Sequence, residues 1–285
     1  SLAYCHLDII ETLTVASQSK MEKLTILNLS GNNTVSSSLE KVENLMEVKS
    51  LKKLILDDIN WSDHFTSQFL SVIFDRYQNN FSLSLSNGKA SKEEWSEVFD
   101  FFKDSQYNGL IGFSWCNNPI NTKLFQFLRR NDHLRRIDFD LCFTDNSADL
   151  VDDFSSLVKD LPDLRILSAA GSKEKHIGHD VAKVIESCTG HKSIHTLNVP
   201  YSYGGDDSLP LFESLIESTP TLKIINFECL GLTDHSAFLD VMMKLSQKKL
   251  KVSFPTEDLK GFRNLISKDD QEALKNAYRI SYRDP

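Results

Sequence analysis

Four histidines crowd one stretch of the chain, His176, His179, His191 and His195, with Asp180 and Cys188 between them. Imidazole, carboxylate and thiolate are the ligands zinc takes, but a site needs three or four of them converging on one point. Shortly after comes Tyr201-Ser202-Tyr203-Gly204-Gly205-Asp206-Asp207. No Gly-Lys-Ser/Thr follows its glycines, so they do not spell a phosphate loop. Two tyrosines on an adaptable backbone instead offer the large contact area that dominates protein interfaces. Cys116 becomes a nucleophile only with a base beside it, and His6 and His133 stand far from it in the pattern of the chain. Which chemistry survives depends on the elements that carry these residues.

Those elements repeat. Leu24-Thr25-Ile26-Leu27-Asn28-Leu29-Ser30-Gly31-Asn32 spells LxxLxLxxN, a short strand followed by a turn. Degenerate copies start at Leu2, Leu24, Leu51, Asn80, Leu110, Leu134, Leu164, Ile194, Leu222 and Lys249, mostly about 27 to 30 residues apart. Asn80 and Lys249 break the first position, while Leu83/Leu85 and Val252/Phe254 keep the strand. Between strands the apolar period changes from 2 to 3.6, as in Trp95, Val98, Phe99, Phe102 and in Leu150, Val151, Phe154, Leu157, Val158. Ser91 with Glu94 reads as a capping box ahead of the first of these helices, and Thr233 or Asp234 as a cap ahead of Phe238. One strand, loop and helix per unit predicts an α/β fold: a right-handed solenoid (horseshoe), with parallel strands on the concave face and helices on the convex face. About ten units span residues 1–257. Residues 258–285 lack another LxxLxL. Ser267-Lys268-Asp269-Asp270 followed by Leu274, Ala277, Tyr278 and Ile280 predicts a C-terminal helical cap there.

The repeat length, the helical segments and the LxxLxLxxN strands resemble the ribonuclease-inhibitor-like leucine-rich repeats, over nearly the whole of residues 1–257. That group includes NOD-like receptor repeat domains, tropomodulins, CARMIL-type actin regulators and the Ran GTPase-activating protein. The asparagine that bonds loop backbone is kept at Asn32 and Asn118. Elsewhere the position holds Ile10, Ile59, Gly88, Cys142, Ser172, Ser202, Leu230 and Glu257. So irregular an array is more similar to the CARMIL and tropomodulin type than to ribonuclease inhibitor itself. The resemblance implies a non-catalytic protein–protein interaction scaffold, an actin-cytoskeleton regulator or a recognition module of a larger protein. The alternative is a GTPase-activating or other enzyme-associated regulatory repeat domain. The GTPase-activating type requires a loop arginine, and the segments after the strands, from Ser30–Ser36 to Glu228–Asp234, contain none.

In this geometry the histidines separate. His176 and His179 follow a strand, whereas His191 and His195 follow the returning helix, roughly 15 Å away. Neither a metal site, a cofactor nor a catalytic group is expected. The residues alternating with the core leucines line the sheet face. At its centre Ser82, Ser84, Ser86, Gly112, Ser114 and Cys116 are small enough for a partner to come close, next to Arg136, Asp138 and Asp140, which could orient it. The expected partner-binding residues are therefore Ser84, Ser114, Arg136, Asp138 and Asp140 on the sheet, and Trp61, Tyr201, Tyr203 and Asp206 on the loops. The plainer reading is that the sheet polar residues serve solubility and the loop aromatics pack locally.

Composition sets the outer limits. With 40% hydrophobic and 25% charged residues the chain has the makeup of an ordinary globular protein. No apolar run approaches the roughly 18 to 20 residues of a membrane helix. A net charge of −8 without a Lys/Arg-rich run disfavours nucleic acid and leaves a protein partner. The cysteines, five in number, are scattered without a CxxC pair, which points to a reducing, cytoplasmic location. The sequons at Asn28, Asn32, Asn60 and Asn80 would argue otherwise, but Asn28 falls inside a strand. Ser1-Leu2-Ala3-Tyr4 shows no signal-peptide pattern and already reads as repeat, so a fragment of a longer protein is expected.

Overall fold

The period-2 segments form short parallel strands and the period-3.6 segments form the helices that return the chain, in a computed structural model of the protein. The structure describes residues 1–19, 21–34, 48–61, 65–78, 80–144, 147–234, 236–238, 240–241 and 251–253. The expected cap at 258–285 lies outside them. The chain divides into two compact units, Ser1–Asp138 and Phe139–Pro285.

In the first unit β1 (Ile26–Asn28), β2 (Lys53–Ile55), β3 (Phe81–Ser84), β4 (Leu110–Ser114) and β5 (Arg136–Asp138) pair in chain order, all parallel. Ile26, Lys53, Ser82, Gly112 and Arg136 stand in one row, and Asn28, Ile55, Ser84, Ser114 and Asp138 in the next, as the repeat pattern predicts. The pairing shifts between Phe81 and Ser82, where β4 carries one extra residue, Ile111. Helix α1 (Ile9–Gln18) precedes β1, and α2 (Phe65–Arg76), α3 (Lys92–Asp104) and α4 (Thr122–Arg129) follow β2, β3 and β4. In the second unit α5 (Ala148–Asp160), α6 (Val181–Cys188) and α7 (Leu209–Ser218) alternate with β6 (Ile166–Ser168), β7 (Thr196–Asn198), β8 (Ile224–Asn226) and β9 (Lys251–Ser253). Those strands are again parallel and paired in order. Strand, turn and returning helix with nearest-neighbour pairing make this an α/β leucine-rich-repeat solenoid.

The beginning of the chain departs from the predicted spacing. The Leu2 N–H donates to Asn28 O at 2.9 Å, the same bond that Leu29 makes to Ile55 O. Leu2 therefore takes the last apolar position of its repeat, not the first, and Tyr4 takes the place of Gly31. Leu2 and Leu7, with Cys5 between, imitate the LxxLxL spacing without forming its strand.

Helix starts follow local chemistry. The Asp8, Ser91 and Asn121 side chains accept the N–H of Glu11, Glu94 and Leu124, satisfying donors that have no partner inside α1, α3 and α4. Glu94 Oε1 also accepts the Thr66 N–H in the first turn of α2, so one buried carboxylate ties two neighbouring helices.

The core ladder is filled as the pattern requires. Leu27, Leu29, Leu54, Leu56, Leu83, Leu85, Phe113, Trp115, Ile137 and Phe139 are all buried. In the first unit the filling is strongly aromatic: Phe102 packs against Phe113, Trp115 and Phe127 with ring centroids 6.3, 5.7 and 4.7 Å away. Each such side chain contributes about 2 to 3 kcal/mol by burial. Trp115 Nε1 donates to Pro119 O at 2.7 Å, so its polar atom is satisfied inside the core.

Asn32 and Asn118 do the work the motif assigns them. Asn32 Oδ1 accepts the N–H of Cys5 and Leu7, and its Nδ2 donates to Leu2 O and Leu29 O. Asn118 accepts from the Gly88 N–H and donates to Leu85 O. Both are buried, so the sequon at Asn32 is a piece of internal scaffolding. At Gly88, where the asparagine is missing, a Cβ would lie 3.0 Å from Trp95 and 3.2 Å from Trp61: the two indoles occupy that space.

Candidate interaction surfaces

The sheet face of the first unit is a hydrogen-bonded mosaic. Ser84 Oγ donates to Asp57 Oδ1 at 2.6 Å, and the same oxygen accepts the Ser86 N–H at 2.8 Å. The Ser86 and Ser114 hydroxyls lie 3.1 Å apart, and Ser86 Oγ accepts the Cys116 N–H. Ser84 is buried and Ser114 half-buried. Arg136 Nε donates to Asp138 Oδ2 at 2.7 Å. The arginine side chain is 51% exposed and the aspartate only 9%, so the pair offers a partner mainly a guanidinium.

Asp140, in the second unit, is engaged differently. Its Oδ1 accepts the Ser168 hydroxyl at 2.6 Å and the Ala170 N–H at 2.8 Å, repeating the arrangement around Asp57. Ser30 and Ser86 likewise accept the N–H of Asp57 and Cys116. A polar side chain at the strand end thus holds the backbone of the following repeat, a recurring device that residue spacing alone does not reveal.

Immediately after that position the backbone turns left-handed. Tyr4, Gly31, Asp58, Asn87 and Asn117 have φ of 55, 65, 58, 55 and 56°, and in the second unit Leu141, Tyr201 and Cys229 have 61, 55 and 55°. The turn aims the N–H at the next repeat: Gly31, Asp58 and Asn87 each donate at 2.8 Å, to Asp57 O, Ser86 O and Cys116 O, and Tyr201 donates to Glu228 O at 2.6 Å. Glycine, asparagine and aspartate tolerate this conformation, whereas other residues are strained by roughly 1 to 2 kcal/mol.

Tyr201 carries that strain and is still 37% exposed. Tyr203, also left-handed at 52°, packs its ring 4.9 Å from His176 and is half-buried. Asp206 accepts the N–H of Thr233 and of Asp234 at 2.9 and 3.0 Å and also the Thr233 hydroxyl, joining its loop to the next. His179 Nδ1 lies 3.1 Å from Gly204 O, and a Cβ at Gly204 would meet Val181 at 2.5 Å. The loop is thus pinned from beneath while Tyr201 stays outside. The neighbouring Cys229 sulfur, partial burial and the Glu228 carboxylate, in that order, disfavour the phenolate and raise the Tyr201 phenol above its ordinary value, so it is a neutral hydrogen-bonding group. Trp61 is 3% exposed, its ring 5.9 Å from Phe69, so it offers a partner no ring area.

The remaining chemistry is dispersed. His191 Nε2 meets Leu161 O at 3.0 Å and His195 Nδ1 meets Ser193 O at 2.5 Å. Burial pushes the Cys188 thiol up to about 12. Among the described residues no three His, Cys, Asp or Glu side chains are grouped to hold a metal ion, and no helix is long and apolar enough to cross a membrane. Shallow recesses of about 350 and 380 Å³ lie on the helical side, lined by residues such as Ser67, Ser71, Phe74, Phe101 and Tyr107, and none of the expected binding residues lines either.

No family model and no curated protein matches the sequence. In fold the protein is similar to a chain of the Rad7–Elc1 complex of yeast, with a TM-score of 0.54 and 16% identity over 91% of this chain and 63% of that one. It therefore spans under two thirds of that chain's length. Weaker likenesses are to the tropomodulin C-terminal domain of Caenorhabditis elegans, at a TM-score of 0.36 and 12% identity over 63% of this chain and 90% of that one, and to a protein of Bacteroides fragilis, at 0.41 and 16% over 77% and 69%. The yeast match supports the repeat fold alone.

Proposed function

We propose that this chain is a non-catalytic protein-interaction repeat domain of the ribonuclease-inhibitor-like type. It acts in the cytoplasm, with residues 258–285 as its cap, and binds a partner protein through the sheet face and the strand-exit loops. The observation that carries the reading is Tyr201, an exposed aromatic on a left-handed turn that Gly31, Asn87 and Asn117 fill without strain and that Tyr4, Leu141 and Cys229 share with it. The turn serves the fold through its backbone N–H, whereas an exposed ring at it adds strain that a binding role would account for. Tyr203 beside it and Arg136 on the sheet face supply side-chain types enriched at interface hot spots. The yeast chain of similar fold was crystallised in a complex with another protein, which agrees with this use of the scaffold. An actin-cytoskeleton regulator or the recognition module of a larger protein is the role this reading favours.

The test is capture of interacting proteins from native cell extract on the immobilised protein, compared with the Tyr201→Ala/Tyr203→Ala variant. A specific partner retained by the wild type and released at least about tenfold faster from the variant is the expected result. Equal retention by a folded variant moves the binding surface elsewhere.

A further inference from the structure

Against an overall charge of −8, the second unit carries a local cationic edge. Arg165, His195 and Lys223 occupy equivalent positions one residue ahead of β6, β7 and β8. The Arg165 carbonyl accepts the N–H of His195 and Thr196, and the His195 carbonyl that of Lys223 and Ile224. Arg165 and Lys223 are exposed, and their side chains form no ion pair among the described residues. Asp163, two residues ahead of Arg165, is half-buried and already engaged in an interaction of its own. Next inward on the sheet come Ile166, Thr196 and Ile224 in one row, Ile224 being 36% exposed. Then come the half-buried carboxamides of Asn198 and Asn226. The strand-exit edge is of the opposite sign, with Glu228, Asp206, Asp207 and Asp234.

We propose that this cationic edge, with the isoleucines beside it, receives an extended acidic segment of the partner protein, laid across β6, β7 and β8. The inference rests on the protein-interaction reading and specifies the chemistry of the partner. Adjacent strands are about 4.8 Å apart, so Arg165 and Lys223 are separated by roughly 10 Å, the reach of about three residues of extended chain. The matching segment, in a polyproline-type extended form whose three residues per turn bring side chains three apart onto one face, therefore places two carboxylates three residues apart, with an apolar side chain between them turned toward Ile166 and Ile224, and its amides within reach of Asn198 and Asn226. Unpaired exposed cations beside apolar surface favour a protein carboxylate over a phosphate backbone, because a phosphate partner would gain nothing from the isoleucines.

The experiment measures binding of a fluorescent synthetic peptide with the pattern Glu-x-Leu-Glu to the whole protein, at low and high salt. Beside it stand the same peptide with Lys for Glu, duplex DNA and phosphatidylserine vesicles. The acidic peptide is expected to bind, weakening with salt, and the lysine peptide not to. Arg165→Glu/Lys223→Glu should reduce binding by about tenfold or more, while Lys92→Glu/Lys103→Glu on α3, which changes net charge equally, leaves it unchanged. Arg165→Gln/Lys223→Gln should give an intermediate loss, and thermal melts confirm that all variants fold. The inference is overturned if the acidic peptide does not bind, if both charge reversals act alike, or if DNA or vesicles bind as tightly and lose as much on reversal. If it fails in these ways while Tyr201→Ala/Tyr203→Ala still releases the captured partner, the interaction reading stands without it. If the peptide result holds but the tyrosine variant retains the partner, the loop reading falls instead.

Discussion

The Asp57 carboxylate, just after β2, accepts the Ser84 hydroxyl from β3, the next strand in the chain, at 2.6 Å, and Asp140 holds Ser168 at the same distance in the second unit. Each carboxylate also takes one backbone N–H at 2.8 Å, from Ser86 and from Ala170. These aspartates therefore act on the fold before they act on any partner. Asp57→Ala and Asp140→Ala should each cost about 1 to 3 kcal/mol of stability, because a partly buried N–H loses its acceptor. The Asn replacements, which keep a carbonyl acceptor, should cost less. Urea unfolding midpoints of the four variants check this, and equal midpoints for wild type and both Ala variants would refute the role.

Asn32 makes a stronger case of the same kind. Its side chain serves two N–H groups and two carbonyls from a buried position, so Asn32→Ala should cost about 3 kcal/mol or more. Asn32→Asp keeps the acceptor but turns a buried carboxylate oxygen toward the Leu2 and Leu29 carbonyls, and should cost at least as much as the Ala variant. Amide exchange at Cys5 and Leu7 should accelerate in the Ala variant ahead of the rest of the chain, a local signature that general destabilisation would not produce.

These residues mark how far the sequence is legible. The alternation in Leu27–Leu29 or Phe113–Trp115 gives strand register directly, since a slip by one residue would turn Trp115 out and Ser114 in. The asparagines at 32 and 118 are readable because only a carboxamide has both the donors and the acceptor the turn needs. Other features depend on where a side chain points across repeats, which no single repeat encodes. Trp61 reads as a loop anchor until Gly88, a repeat away, leaves the space that its indole fills. Asp140 reads as part of a charged patch until Ser168 is found beneath it. The cationic edge escapes notice because Arg165, His195 and Lys223 precede the alternating positions. Glycine and asparagine at positions 31, 87 and 117 were the available clue to the left-handed row, and Tyr201 is hidden because it breaks that clue.

His191 sets a pH dependence whose direction follows from its contacts. Its Nδ1 accepts the Ser193 N–H at 3.2 Å and its Nε2 meets Leu161 O at 3.0 Å, so the neutral ring with the proton on Nε2 fits both bonds. Burial lowers its pKa below 6.5, and the carbonyls of Leu161 and Val158 oppose that only in part. The unfolded chain then binds the proton more readily than the folded one. This contribution is full above the unfolded pKa, declines as pH falls through about 6.5, and levels off below the folded pKa. Thermal melts between pH 8 and pH 5 should show the wild type losing stability on acidification, by more than His191→Gln does. Parallel curves would mean that His191 titrates alike in both states.

The last expectation separates strain from binding at Tyr201. With φ at 55° and 37% of the residue exposed, the tyrosine pays a conformational penalty that asparagine at the same turn, as at Asn87 and Asn117, largely avoids. Its N–H bond to Glu228 O is made by the backbone and survives substitution. Tyr201→Asn should therefore stabilise the protein by about 1 kcal/mol while weakening partner capture, and Tyr201→Ala, which keeps the strain and loses the ring, should weaken capture without the gain. Opposite movement of stability and binding in the Asn variant is the outcome that assigns the ring to recognition. A loss of stability in Tyr201→Asn would show instead that the ring packs on its neighbours, and the aromatic would then belong to the scaffold.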